Sequence, residues 1–267
     1  TPLVDDLLRA PGHTLREQLD DATIDLQWDV FALAAIPLVT LAVFLAQGHL
    51  RGDLREVMHL TPLIAIVVLA FIGFMVRKMW RAGERLDKLR AGLDAELAVG
   101  QELDQLMRQG AVVFHDVPAD DFNIDHVVVS REGVFAIETK GFTKPNGGRG
   151  KVDATVEFDG SILRFPSRAT RDPLEQAQRQ AAWLARWLSG AVGTPIRVLP
   201  ILALPGWYVK RTGRGEVRVF SGGELKGLLK ARGAQTLSVQ DLQRVVHQLE
   251  QRCRTVVPML SERKRAA

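Results

Sequence analysis

The chain has 267 residues, of which 46% are hydrophobic and 25% are charged, and this length accommodates a membrane segment plus one globular domain. Its single cysteine, Cys253, excludes an intrachain disulfide. The net charge of +4 allows a nucleic-acid or anionic-lipid partner but requires neither.

Two long apolar stretches follow residues 1–27, which we expect to form short amphipathic helices in the cytoplasm. Residues 28–47 contain one charge, Asp29, and residues 60–76 contain none. A helix of about 17 to 20 residues crosses the hydrocarbon core of a bilayer. A buried helical hairpin of a soluble protein is the alternative, but it would normally show polar positions at helical spacing. The pattern therefore predicts two transmembrane helices.

Basic residues beside the second stretch predict the orientation of this hairpin. Six lysines and arginines lie within residues 77–91, a basic juxtamembrane helix, whereas the connector between the stretches has two basic and two acidic residues. The more basic flank of a membrane helix stays in the cytoplasm. We therefore expect a bacterial inner (plasma) membrane protein with both termini cytoplasmic and the lipid bilayer as a partner.

Residues 92–267 have the pattern of an α/β domain. Short β-branched or continuous apolar runs predict strands at residues 111–117, 124–130, 134–139, 196–204 and 217–220. Asp159–Gly160 predicts a hairpin turn within residues 154–165. Apolar periodicity and capping residues predict helices at residues 81–109, 172–188, 224–231 and 239–254. This order predicts a mixed sheet flanked by helices.

Two acidic residues and a lysine stand out at the end of the second predicted hairpin. Glu138 and Lys140 are two residues apart on a strand, so their side chains point to the same face. If a tight loop pairs Ser130 with Gly133, Asp125 falls opposite Glu138, with Cβ atoms roughly 4.5–5.5 Å apart. A bulge at Gly133 would shift this pairing by one residue.

This residue set suits phosphodiester hydrolysis. Adjacent carboxylates repel each other unless a cation neutralises them. Mg²⁺ binds through one or two carboxylates, leaves room for a phosphate oxygen and can activate a water molecule. A lysine supplies a positive charge for the phosphate or positions the attacking water. A salt-bridged group at the end of a sheet is the alternative, because short motifs often recur by chance.

The segment FNIDHVVVSREGVFAIETKG, residues 122–141, resembles the core of the nuclease-related domain (NERD), a relative of the PD-(D/E)xK restriction-endonuclease-like superfamily. The resemblance extends from about Gly92 to about Leu204. It implies a restriction-endonuclease-like fold, with Asp125 and Glu138 as ligands of Mg²⁺ or Mn²⁺ and Lys140 as the catalytic lysine.

The resemblance also assigns roles to residues on two helices. It implies Glu96 as a further acidic metal ligand and Gln176 as a polar catalytic-site residue of the later helix. Ala95 stands where the family usually has glycine, so Glu102 remains an alternative to Glu96. Ile124 stands where the superfamily has its proline.

Three functions follow from these features. The first is a membrane-anchored, metal-dependent nuclease that hydrolyses phosphodiester bonds, with DNA as the expected substrate. The second is a tethered nucleic-acid-binding or scaffold module that has the fold but no turnover. The third is a membrane sensor or assembly factor whose partner binds the helical hairpin.

Basic and aromatic residues near the predicted site have open roles. The glycine-rich loop 141–151 is expected to be a mobile loop, with a contact to a nucleic-acid backbone as the alternative. Arg164, Arg168 and Arg171 either form a basic patch near the later helix or solvate a loop. Trp183 and Trp187 lie four residues apart and are predicted to pack in the core.

Overall fold

The structure is a computed structural model that describes residues 6–51, 61–142, 154–231 and 233–256. It divides into two compact units. One contains residues 15–90, and the other joins the N-terminal residues up to Thr14 with residues 91 onward. The predictions for the connector 52–60 and for most of the loop 141–151 lie outside the described residues.

Two long helices carry the apolar stretches. Helix α1 is His13–Arg51 and helix α2 is Thr61–Asp104. Each contains an apolar stretch long enough to cross a bilayer, and almost none of that stretch is buried. Both helices are therefore apolar enough to span a membrane, as predicted. Residues 13–27 form the beginning of helix α1, so the prediction of separate short helices there was wrong.

An ion pair joins the two helices at the ends of their apolar stretches. Asp29, near the start of the first stretch, accepts a hydrogen bond from the ammonium group of Lys78, just beyond the second stretch. Asp29 is buried, whereas the Lys78 side chain is about half exposed. The one charge inside the first apolar stretch is thus neutralised by the juxtamembrane basic segment.

In its described residues, the other unit contains short strands and two further helices, α3 (Asp172–Val192) and α4 (Val239–Cys253). In chain order the strands are β1 (Leu7–Leu8), β2 (Val112–Pro118), β3 (Asn123–Ser130), β4 (Gly133–Thr139), β5 (Thr155–Phe158), β6 (Leu163–Arg164), β7 (Ala169–Thr170), β8 (Val198–Leu204), β9 (Tyr208–Arg211), β10 (Arg218–Ser221) and β11 (Arg254–Val256). Two 3₁₀ helices occupy Gln105–Gln109 and Gly222–Lys230, and the second replaces the α-helix predicted at 224–231.

The largest sheet has the order β10-β8-β4-β3-β2. Strands β2, β3 and β4 are antiparallel, while β4, β8 and β10 are parallel, so the sheet is mixed. A second sheet has the order β7-β6-β5-β9, and β1 pairs with β11. The predicted mixed α/β architecture, preceded by two apolar helices, is confirmed.

Helices cover both faces of the large sheet. Leu184 of α3 and Leu249 of α4 belong to the hydrophobic cluster on one face. Val99 of α2 and Leu225 of the second 3₁₀ helix belong to the cluster on the other. Burial on both faces explains why the central strands are continuous apolar runs.

Candidate functional site

The β3–β4 hairpin has the register predicted from the sequence. Ser130 pairs with Gly133 and His126 pairs with Ile137, with no shift between them. Asp125 and Glu138 are the next residues on the two strands. The backbone N–H of Thr139 donates to Oδ2 of Asp125 at 2.6 Å, which holds this carboxylate against the end of β4.

Lys140 completes the group at the end of β4. Its Nζ lies 2.6 Å from Oε1 of Glu138, and its backbone N–H donates to the carbonyl oxygen of Ala203 on β8 at 3.0 Å. Glu138 is 1% exposed, whereas the Lys140 side chain is 30% exposed. The lysine therefore joins a buried carboxylate to the solvent-facing side of the site.

Glu96 approaches the same group from helix α2. This helix passes close to the residue after Lys140, because a Cβ on Gly141 would lie 2.6 Å from the carbonyl oxygen of Ala91 and 2.8 Å from Cβ of Ala95. A glycine at 141 is thus what makes room for an alanine at 95. The small pair keeps helix and strand close enough for Glu96 to interact with Lys140.

The carboxylates influence one another strongly. Burial, with the charges of Asp116 and Glu138, raises the pKa of Glu96 from 4.5 to about 7. Burial and the charges of Glu138 and Glu96 raise the pKa of Asp125 well above its ordinary value. These shifts show that several acidic groups converge in a region with little solvent.

Hard oxygen donors of this kind suit Mg²⁺ or Mn²⁺. Among the residues that the structure describes, no three acidic, histidine or cysteine side chains are grouped closely enough to hold a metal ion together. Mg²⁺, however, needs only one or two protein carboxylates and retains water molecules as its other ligands. Asp125 and Glu138 fit that requirement, with Glu96 beside them.

Gln180 of helix α3 contacts the site directly, a role that the sequence analysis missed. Its Nε2 donates to Oε2 of Glu138 at 2.6 Å and to the carbonyl oxygen of Asn123 at 3.2 Å. Its Oε1 is buried and has no hydrogen-bond partner in the described part of the chain. Gln176, the residue expected here, lies one turn earlier, is half-buried and makes no hydrogen bond to another described residue.

Asp116 is a further carboxylate beside the site. The β2–β3 pairing places it between the pairs His115–His126 and Val117–Ile124, at the position facing Asp125. Asp116 has φ 49°, a left-handed conformation that is unfavourable for a residue other than glycine. Its carboxylate is buried and is turned toward the N-terminal segment.

That segment, residues 6–14, binds Asp116 through two residues. Arg9 Nη1 lies 3.0 Å from Oδ2 of Asp116, and Thr14 donates to the same oxygen from its backbone N–H at 3.1 Å and from its hydroxyl at 2.7 Å. Asn123 donates in turn to the Thr14 hydroxyl oxygen. The segment is fixed at its other end by the β1–β11 pairing. We call residues 6–14 the N-terminal strap.

Two histidines lie close to the site but do not contact its carboxylates. His115 and His126 approach each other with their Nδ1 atoms 2.9 Å apart, and Nε2 of His115 is 3.0 Å from Asp104. Burial lowers the pKa of both. Both histidines are therefore neutral near pH 7. Within the described ranges, the cations that contact the carboxylates of the site are Lys140, on Glu138, and Arg9, on Asp116.

Trp183 and Trp187 have the packing role predicted for them. Both are partly buried against the cluster that α3 and α4 share. Their ring planes are 3° apart, and the Arg252 guanidinium lies 4.9 Å from each ring centroid.

Comparison with known proteins identifies a family for part of the chain. Residues 91–205 match the family model described as nuclease-related domain, NERD. This range contains Glu96, Asp125, Glu138, Lys140 and Gln180, whereas the N-terminal strap lies outside it. No curated protein and no solved structure matches the chain.

Proposed function

Residues 91–205 form a nuclease-related domain, and on that premise we propose that the chain is a membrane-anchored, divalent-metal-dependent nuclease that hydrolyses phosphodiester bonds in DNA. The observation that carries the proposal is the convergence of Asp125, Glu138 and Lys140 at one end of the β3–β4 hairpin, with Glu96 beside them.

The side chains present can divide the chemical work between them. Asp125 and Glu138 would hold a Mg²⁺ or Mn²⁺ ion, which when bound supplies charge stabilisation at the phosphate and activates a water molecule. Lys140, partly exposed and held on Glu138, can donate a hydrogen bond to a phosphate oxygen or orient the attacking water. Glu96, with a pKa of about 7, can accept or release a proton near neutral pH.

The direct test compares the full chain, solubilised in detergent, with single-residue variants. Plasmid, linear duplex and single-stranded DNA, and RNA, are each incubated with Mg²⁺ or Mn²⁺ and with a chelator. Asp125→Asn and Lys140→Ala are expected to lower the cleavage rate by about 100-fold or more. Asp121→Asn is the matched control, because Asp121 is exposed and makes no contact with the site. Absence of metal-dependent cleavage by the unaltered chain would overturn the nuclease proposal.

A second candidate is a module that binds nucleic acid but does not cleave it. It is favoured by the ion pair of Lys140 with Glu138, which neutralises that carboxylate without a metal. The same experiment separates the two proposals. A binding module would retain DNA in the presence of Mg²⁺ or Mn²⁺ without shortening it, and Asp125→Asn would leave its affinity unchanged.

The anchoring part of the proposal rests on helices α1 and α2. Their large apolar side chains are exposed, as at Leu38 (66%) and Leu69 (67%), which is costly in water and favourable in lipid. The buried helix of a soluble protein has the opposite exposure. We propose that both helices cross the bacterial inner membrane, with both ends of the chain in the cytoplasm.

Two features support this orientation. Basic residues follow the second apolar stretch, and the N-terminal strap pairs with β11, as expected if both flanks of the hairpin are on the cytoplasmic side. Single cysteines introduced as Asp53→Cys and Glu132→Cys test it with a membrane-impermeant maleimide on intact cells. The native Cys253 is 1% exposed and should contribute little background. Labelling at 53 but not at 132 is expected, and the reverse would contradict the orientation.

A further inference from the structure

The Arg168 guanidinium lies over an aromatic ring close to the candidate site. Its guanidinium carbon lies 4.2 Å from the ring centroid of Phe142 and 5.7 Å from that of Phe165. Phe142 is two residues beyond Lys140 in the chain. Arg168 itself is exposed, in the turn between β6 and β7. A solvent-facing cation is thus supported on a fixed surface near the catalytic lysine.

The surface beneath this guanidinium is well fixed. The Phe165 ring contacts both the Phe142 and Trp207 rings, with centroids 4.8 and 4.9 Å apart, and the Trp207 indole N–H donates to the Phe142 carbonyl oxygen at 3.0 Å. The backbone groups of Phe165 and Arg168 hydrogen-bond to each other across the turn. Phe165 and Trp207 are buried in the core below. Both the ring and the turn that carry Arg168 are therefore held in place.

Arg168 differs in this respect from a second arginine on the same hairpin. Arg164 Nη2 lies 3.4 Å from Oδ2 of Asp159, so its charge is already partnered. Arg168 makes no ion pair or side-chain hydrogen bond with any residue in the described ranges. The contact with the ring holds the guanidinium in place without using its N–H groups, which can donate to a ligand.

We propose that Arg168, supported by Phe142, binds a backbone phosphate of the nucleic acid next to the bond that the Lys140 site acts on. The proposal rests on the proposed function for the identity of its ligand. A guanidinium presents parallel N–H donors that match two phosphate oxygens, and one already held in place loses little further freedom on binding. Arg168 is therefore a substrate-binding residue, distinct from the carboxylates and from Lys140.

The test measures DNA binding by the full chain in phosphatidylcholine nanodiscs, with a chelator present so that no cleavage occurs. Affinity for labelled single-stranded and duplex DNA is followed over a range of salt concentrations. Arg168→Ala is expected to weaken binding by about 10- to 100-fold and to lower the slope of log affinity against log salt by about 0.7 to 0.9. Arg164→Ala removes the same charge from the same hairpin and is expected to change affinity by about twofold at most.

Two further variants separate charge from geometry. Arg168→Lys keeps the charge, so the salt slope is retained while the bidentate contact and part of the affinity are lost. Phe142→Leu removes the ring beneath the guanidinium, and weaker binding with an unchanged slope is expected. Thermal unfolding of each variant shows whether the fold is intact, and an intact Arg168→Ala with unaltered affinity overturns the proposal.

Equal losses in Arg168→Ala and Arg164→Ala also overturn it, because they would report only the general charge of the surface. So does an effect confined to nanodiscs of anionic phosphatidylglycerol, which would assign Arg168 to a lipid headgroup. These outcomes are independent of the nuclease assay. If the unaltered chain cleaves DNA but Arg168→Ala binds DNA with unaltered affinity, only this inference is refuted. If binding depends on Arg168 but no DNA is cleaved, only the nuclease proposal is refuted.

Discussion

The side-chain amide of Gln180 donates to Glu138 at 2.6 Å, on the carboxylate oxygen that Lys140 does not contact. Helix α3 and strand β4 thus fix one acidic group from two directions. Because partners of this kind orient metal ligands, Gln180→Ala is expected to weaken Mn²⁺ binding by about 10- to 100-fold. Isothermal titration of the full chain with Mn²⁺ measures it.

Gln176→Ala is the matched control for this variant. It removes the same side chain one turn earlier on α3, where no hydrogen bond to Glu138 exists among the described residues. A smaller change in the Mn²⁺ dissociation constant is expected. If Gln176→Ala proves the more damaging of the two, the contact of Gln180 with Glu138 is not what positions the ligand.

The raised pKa of Glu96 predicts how the metal-free protein responds to pH. The folded chain binds this proton more tightly than the unfolded chain, because the pKa is about 7 when folded and 4.5 when unfolded. The contribution of Glu96 to the free energy of unfolding should therefore fall as pH rises from about 4.5 to about 7, whereas the lowered pKa values of His115 and His126 act in the opposite direction below their ordinary pKa. The raised pKa of Asp125 acts in the same direction as that of Glu96. Thermal unfolding across this pH range, with a chelator present, checks the sign.

Glu96→Gln provides the comparison for that experiment. The neutral amide cannot titrate, so the loss of stability with rising pH should be smaller in this variant. Saturating Mg²⁺ should also reduce the loss in the unaltered chain, because the cation stabilises the deprotonated carboxylates. The same pH dependence of stability in the unaltered chain and in Glu96→Gln would show that Glu96 titrates normally.

The Arg9–Asp116 ion pair predicts that the N-terminal strap stabilises the compact unit that it forms with residues 91 onward. Arg9→Ala leaves a buried carboxylate without its cation, in a backbone conformation that is itself unfavourable. The free energy of unfolding should fall by about 1–3 kcal/mol. In Arg9→Ala combined with Asp116→Asn the loss should be less than the sum of the single losses, because the amide needs no counter-charge. Chemical denaturation of the four chains measures this coupling.

Arg254→Ala is the control, because it also removes an arginine contact to the strap. Arg254 donates to the carbonyl oxygen of Asp6 and so holds the strap without touching Asp116. Arg254→Ala should lower the free energy of unfolding by the same amount whether residue 116 is Asp or Asn.

A truncated chain beginning at Arg81 would lack the whole strap and should be less stable than Arg9→Ala. Equal stability of the truncated and full chains, compared in the same detergent, would show that the strap contributes nothing.

The Asp29–Lys78 ion pair predicts a similar dependence within the helical hairpin. Lys78→Ala leaves the buried Asp29 carboxylate unpaired, so the melting temperature of the detergent-solubilised chain should fall. Asp29→Lys combined with Lys78→Asp should recover part of the loss. Lys88→Ala removes the same charge outside this ion pair and is expected to have little effect. Identical melting of the Lys78 and Lys88 variants would argue against a role for the pair.

Local patterns in the sequence predicted the centre of the site. The β3–β4 register follows from a short turn and from the face on which each apolar residue lies, and both are properties of adjacent residues. The start of α3 at Asp172 follows from the proline at the beginning of the helix, but the capping part of that prediction was wrong, because the N-cap is Arg171 and makes no side-chain cap hydrogen bond. Gly141 and Ala95, by contrast, are far apart in sequence, and their mutual fit could not be inferred from either residue.

Other parts of the site depend on contacts that no periodicity encodes. Gln176 and Gln180 lie on one face of α3, so helical spacing cannot choose between them, and the packing of the helix on the sheet decides. Asp116 takes its left-handed conformation beside partners about a hundred residues earlier in the chain. A pattern of β-branched residues in β2 predicts an ordinary strand at that position.

The pairing of β1 with β11 constrains the order in which this protein can be made. As the chain leaves the ribosome, the first strand emerges before either apolar helix, while its partner is more than 240 residues away. If α1 and α2 enter the bilayer as proposed, the strap must remain in the cytoplasm without its β11 partner while both helices are inserted. A chain inserted with only one crossing leaves β1 on the opposite side of the membrane from β11. Correct insertion is thus a condition for completing the fold. A wrongly inserted chain should remain partly unfolded and be degraded by proteases.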